Sequence, residues 1–189
     1  EFNAFIKWAS VTYPEFHSQM QQEQLEYTLL YKWQGSDPSL APILLTGHYD
    51  VVPVIPGTEE IWEQDPFAGV ISNNRIWGRG ALDDKSGVIG MYEAATYLIK
   101  KNHQPKRTIY FSFGHNEEIG GGGAALVVKK LKSEGKSIIG YGASGRGTVI
   151  MNYCNIDSKY LDYVVDDAPQ KEGFYTPGTR LEIKSWDFV

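Results

Sequence analysis

Cysteine is almost missing: Cys154 is the single one in 189 residues. No disulfide can form within the chain, and nothing marks an oxidising compartment. An excess of positive charge is missing too. Eighteen Lys and Arg stand against 23 Asp and Glu, a net charge of -5, with no basic run anywhere. That argues against nucleic acid and membrane surfaces as partners, because phosphate binding needs a basic face. No apolar stretch is long enough to span a bilayer, and the N-terminus carries no signal-peptide pattern. The expectation is a soluble chain; the first residue, Glu1, leaves its compartment open. Low-complexity tracts and internal repeats are absent as well. The length suits one α/β domain, or two small ones sharing a sheet.

What is present alternates between strand and helix patterns. Leu25–Trp33 is rich in β-branched and aromatic residues and predicts a strand, and Pro42–Thr46 predicts a short buried one. Gly69–Trp77 predicts a hairpin turning on Asn73-Asn74, residues that tolerate positive φ. Val88, Met91, Ala95, Leu98 and Ile99 recur at helical spacing and predict a helix over Asp84–Lys101. Arg107–Phe113 predicts a strand, Ala124–Lys132 a helix closed by Gly135, and Ser137–Tyr141 a strand. Thr148–Cys154 then predicts a helix and Tyr163–Val165 a last strand. Strands separated by helices of this length imply crossovers. The fold class expected is therefore α/β, with three layers: a mainly parallel sheet with helices on both faces.

Three groups of metal-capable side chains follow three of the predicted strands. His48 and Asp50 lie two apart in an extended segment and share a face, so Asp50 can accept the second ring N–H of His48. Alone, such a pair is more often a surface or hydrogen-bonded pair than a ligand set. Asp83 and Asp84 stand before the long helix, where either one could simply cap it. Glu117-Glu118 follows the Arg107–Phe113 strand, at the end where ligands gather in parallel α/β sheets, although the helix dipole also favours acids there. The conjunction of all three shifts the balance towards a metal site.

These segments are Thr46-Gly-His-Tyr-Asp-Val-Val-Pro-Val, Trp77-Gly-Arg-Gly-Ala-Leu-Asp-Asp-Lys-Ser-Gly and Phe111-Ser-Phe-Gly-His-Asn-Glu-Glu-Ile-Gly-Gly. Together they resemble the co-catalytic zinc family of aminoacylases and carboxypeptidases. Trp62 to Phe67 resembles its carboxypeptidase S and N-fatty-acyl amino acid hydrolase branch. The resemblance covers roughly residues 1–132, as the N-terminal half of a catalytic domain. It implies that His48 binds one zinc, Asp83 bridges two and Glu118 binds the second. It further implies Glu117 as general base and Asp50 as the residue that orients His48. The implied reaction is hydrolysis of N-acyl amino acids or small peptides with up to two zinc ions, cobalt being the other metal suited to these donors. Family members take a further histidine from near their C-terminus, and His17, His103 and His115 do not match it. They also take one more carboxylate, for which Asp167 is the positional match. On that ground an incomplete active site is expected.

Residues 133–189 carry a second pattern. Gly140, Gly142 and Gly145 lie where a predicted strand passes to a helix, and Asp166 ends the next strand, which is either a tight strand-to-helix turn or the spacing of a dinucleotide fingerprint. Gly135-Lys-Ser-Ile-Ile-Gly-Tyr-Gly-Ala, Tyr163-Val-Val-Asp-Asp and Gly173-Phe-Tyr-Thr-Pro-Gly-Thr resemble the C-terminal Rossmann-like domain of sugar-nucleotide C-methyltransferases, over about residues 133–183. The expectation is a hybrid: a zinc-hydrolase half over 1–132 and a Rossmann-like segment over 133–189 that continues the same sheet. The alternatives to a hydrolase are an inactive α/β chimera and a nucleotide-binding module.

Overall fold

The computed structural model describes residues 1–188, apart from the Arg146 side chain. It divides into two compact units, Glu1–Ile119 and Gly120–Val189. Among the described residues no helix is long and apolar enough to cross a membrane.

The first unit opens with two helices, α1 (Phe2–Thr12) and α2 (Pro14–Gln19), neither foreseen in the sequence. Next come β1 (Gln21–Leu25), β2 (Thr28–Trp33) and β3 (Ile43–His48), then a small hairpin of β4 (Val70–Ser72) and β5 (Arg75–Trp77). Helix α3 (Lys85–Lys100) and strand β6 (Ile109–Gly114) complete it. The hairpin turns as expected, on Asn73 and Asn74 at φ 51° and 58°.

The four-stranded sheet has the order β1-β2-β6-β3 and is mixed, not mainly parallel. The stretch read as one strand over Leu25–Trp33 in fact holds the last residue of β1, a turn and the whole of β2. Glu26, at φ 56°, and Tyr27 turn the chain between β1 and β2, and a connection this short permits only antiparallel pairing. β2 runs antiparallel to β6; β3 alone runs parallel to it, joined by the crossover through α3.

Leu29, Tyr31 and Trp33 on β2 face the same way as Phe111 and Phe113 on β6, because side chains alternate along a strand. Ala9 of α1, Phe16 of α2 and Val88, Tyr92 and Ala95 of α3 pack into this one cluster. All three helices thus cover a single face of their sheet. The period of α3 holds: Val88 and Ala95 are buried, Met91 and Ile99 pack against the cluster, and the stripe extends to Tyr92 rather than Leu98. Tyr92 is fully buried, whereas Leu98 is 37% exposed.

The second unit contains α4 (Gly123–Ser133), β7 (Gly140–Tyr141), α5 (Gly145–Tyr153), β8 (Val164–Val165) and β9 (Ile183–Lys184). Its strands form a separate parallel sheet of order β7-β8-β9, so the expected single continuous sheet does not form. The physical reason is local. Each of these strands is two residues long, and each finds its partners within the unit. Ala125, Met151, Ile156, Leu161, Val164 and Leu181 make a small core of their own.

Candidate metal site

β3 and β6 are parallel neighbours, and His48 pairs with Gly114 at their C-terminal ends. That register brings the His48 side chain and the loop after β6 to the same end of the sheet. Asp83 arrives from the turn just before α3.

The three side chains converge. One ligand atom each from His48, Asp83 and Glu118 can be chosen such that all lie within 4.8 Å of one another. His48 Nε2 lies 3.1 Å from Asp83 Oδ1 and 3.8 Å from Glu117 Oε2, and its Nδ1 lies 3.3 Å from Asp50 Oδ1. Asp50 is also the strut of the opposite loop. Its two carboxylate oxygens accept the backbone N–H groups of Glu117 at 3.2 Å and Glu118 at 3.0 Å. One buried carboxylate therefore touches both the histidine and the acidic pair.

Charge in the cluster is unbalanced. Burial opposes the charged form of His48, but the negative charges of Glu117, Asp50, Asp83 and Asp84 outweigh it and raise its pKa. Burial, then Asp83, Glu117 and Asp50, raise that of Glu118. Five carboxylates around one imidazole favour any added cation, and a nitrogen donor with two carboxylate donors is a set that suits zinc.

The loops are braced from behind. Tyr49, between His48 and Asp50, donates its hydroxyl hydrogen to the carbonyl of Tyr27. His115, two residues before Glu117, is buried with Nδ1 at 2.9 Å from Thr28 Oγ1 and Nε2 at 3.7 Å from Glu26. The ring of Phe2 packs against Tyr27, Tyr49 and His115. The β1–β2 turn therefore supports both the loop that carries His48 and the loop that carries Glu117 and Glu118. In the sequence His115 registered only as a histidine that was not the missing ligand; its partner lies 87 residues away.

The remaining candidates lie in the second unit. Gly140 is in β7, Gly142 is in the turn at φ 90°, and Gly145 opens α5, whose N-terminus Ser144 caps through the Gly147 N–H at 3.0 Å. Asp166 leaves β8 beside that turn, but both its oxygens are engaged. Oδ2 accepts from Ala143 N–H at 2.7 Å and Lys171 Nζ at 2.8 Å, and Oδ1 accepts from Ala168 N–H at 2.9 Å. The Asp167 carboxylate accepts the Tyr141 hydroxyl.

Lys171 first, then the backbone N–H groups, hold the Asp166 carboxyl below the usual carboxylate range. A depressed native pKa contributes stability above the ordinary carboxylate value and loses it as pH falls through the native value. Asp166→Asn is expected to destabilise this unit by about 1–3 kcal/mol at neutral pH and to flatten its acid dependence. Thermal melts of both proteins between neutral pH and pH about 3 check this; parallel curves would count against it.

The comparisons agree with the geometry. The family described as Peptidase family M20/M25/M40 matches residues 44–175. The probable carboxypeptidase S-like 2 of Dictyostelium discoideum is 41% identical over 131 residues, covering 69% of this chain and 25% of that protein. The N-fatty-acyl-amino acid synthase/hydrolase PM20D1 of Xenopus tropicalis is 42% identical over 139 residues, covering 71% of this chain and 26% of that one. Among solved structures, the M20 family metallo-carboxypeptidase Sso-CP2 of Sulfolobus solfataricus superposes with a TM-score of 0.55. At 23% identity, over 70% of this chain and 31% of that one, it shows a shared fold. The chain spans about a quarter of the length of these curated relatives. The family match also runs past residue 133, into the segment whose sequence pattern resembled a methyltransferase domain. A sheet with acidic and histidine side chains gathered at one end, and a sequence match over most of the chain, lead to one assignment: the chain belongs to peptidase family M20/M25/M40.

Proposed function

We propose that this chain supplies part of the catalytic centre of a zinc-dependent hydrolase acting on peptides or N-acyl amino acids. The observation that carries the reading is the convergence of His48, Asp83 and Glu118 at the C-terminal end of β3 and β6. Those three residues would hold the metal, which when bound supplies Lewis acidity towards an amide carbonyl and a nearby water. Glu117 stands beside them with its side chain 42% exposed, free to take a proton from water and deliver it to the leaving amine. Asp50 keeps Glu117 and Glu118 in register through their backbone N–H groups and faces Nδ1 of His48. The names of the similar proteins, a carboxypeptidase and an N-fatty-acyl-amino acid synthase/hydrolase, point to the substrate class. A second ion, and Asp167 as a ligand, belong to the same proposal. So does cobalt as a substitute metal.

Metal analysis after dialysis, followed by an assay on N-acyl amino acids, tests the reading. Zinc is expected to remain bound, and any amide hydrolysis should fall by about 100-fold or more in Glu117→Gln, the scale of a lost general base. A chain that retains no zinc at micromolar concentration overturns the proposal.

A second reading rests on the turn between β7 and α5. Ser144 caps the helix, Gly142 has positive φ and Asp166 approaches the turn, a geometry that supports nucleotide binding in a Rossmann-like segment. The internal hydrogen bonds on both Asp166 oxygens weigh against a free ribose-binding acid. The family match through residue 175 weighs against a recombined origin for the segment. Calorimetric titration with nucleotides and nucleotide-sugars decides it, and flat heats would remove it.

A further inference from the structure

His48 and Asp83 come from separate stretches of chain, and the residue that joins them is Asp84. It occupies the N-cap position of α3, yet its side chain makes no capping hydrogen bond to that helix. An aspartate there ordinarily accepts an N–H from the first turn. Here Oδ2 instead accepts the backbone N–H of His48 at 3.3 Å.

The direction of that N–H explains the need. Along β3, the N–H groups of Ile43 and of the following Tyr49 donate to the β6 side, to Thr108 and Gly114. Alternation then turns the N–H of His48 the other way, towards the open edge of the sheet, where β3 is the last strand. His48 is buried, so an N–H left there without a partner would be costly.

The carboxylate of Asp84 is seated between two glycines. A Cβ on Gly47 would come 2.8 Å from Oδ2, and one on Gly87 would overlap Oδ1 outright. Gly87 lies in the first turn of α3, where glycine is a poor helix former. The space it leaves is the space the carboxylate fills.

We propose that Asp84 is a positioning residue for the metal site: it ties the end of β3 to the start of α3 and so fixes His48 relative to Asp83. The inference rests on the zinc reading above, but part of its test does not. Zinc affinity, measured by competition with a chromophoric chelator, is expected to fall about 10–100-fold in Asp84→Ala, the scale of losing a support to a metal ligand. The His48 amide should exchange with solvent faster in the same variant, with chelator present. Asp84→Asn keeps an oxygen for the same N–H and should restore both values towards wild type. Gly87→Ala should reproduce the zinc defect by displacing the carboxylate, although alanine favours the helix; it carries the test if Asp84→Ala fails to fold. Unchanged zinc affinity and unchanged His48 exchange in Asp84→Ala overturn the inference. A wild type that binds no zinc removes the metal reading alone, and the His48 exchange comparison then decides the structural part.

Discussion

His48→Ala abolishes the zinc-dependent rise in melting temperature: this is the largest effect expected on the site. A ligand that binds only the native state stabilises it by about 2.7 kcal/mol at a hundredfold excess over Kd, a rise on the order of 10 °C for a unit of this size. His48 is the one nitrogen donor of the three convergent side chains. Without it, zinc would meet only carboxylates, and Asp83 presents its side chain 73% exposed and well hydrated. Hydrated carboxylates alone suit magnesium and calcium better than zinc. Scanning fluorimetry with zinc and with chelator reads the difference directly. An equal zinc-dependent rise in both proteins would show that the ion sits elsewhere.

Phe16→Ala costs about 3–5 kcal/mol, the range for removing a fully buried aromatic ring. Phe16 has no exposed surface, and its ring centroid lies 4.8 Å from Tyr92, 5.0 Å from Tyr31 and 5.5 Å from Phe111. It is thus the point where α2, α3 and the sheet meet. Neighbours can collapse little into the vacated space, because Tyr31 and Tyr92 are also held by a hydroxyl–hydroxyl hydrogen bond of 3.0 Å. A loss of this size is a large part of the stability of a typical domain, about 5–15 kcal/mol, so the first unit should unfold at a markedly lower denaturant concentration. Denaturant titration checks it, and a loss under 1 kcal/mol would contradict the packing described.

The parts legible in the sequence are those set by local chemistry. The hairpin at Asn73-Asn74 needs positive φ, and the chain supplies residues that tolerate it. The convergent trio of His48, Asp83 and Glu118 was legible because each member follows a strand with its own local signature. What stayed hidden depends on distant partners. Helices α1 and α2 were not foreseen, although Phe2, Phe5, Ile6 and Ala9 recur at helical spacing; α2 is only six residues long, and the sheet that buries its Phe16 lies elsewhere in the chain. Tyr92 rather than Leu98 fills the core because the stripe of α3 is chosen by the rings it meets, Tyr13 stacked at 4.9 Å among them. For Asp84 the sequence offered only the local option, that it or Asp83 caps the helix, whereas its side chain accepts from a residue 36 positions back. Strand direction was misjudged for a similar reason. One two-residue turn at Glu26-Tyr27, hidden inside an uninterrupted β-prone run, fixes β1 and β2 as antiparallel.

The Asp50 bridge also bears on the order of events during synthesis. Every contact described as holding His48, Asp83 and Glu118 comes from within Glu1–Ile119. These side chains can therefore come together on a nascent chain whose later residues are still on the ribosome, so their convergence does not wait for the synthesis of Gly120–Val189.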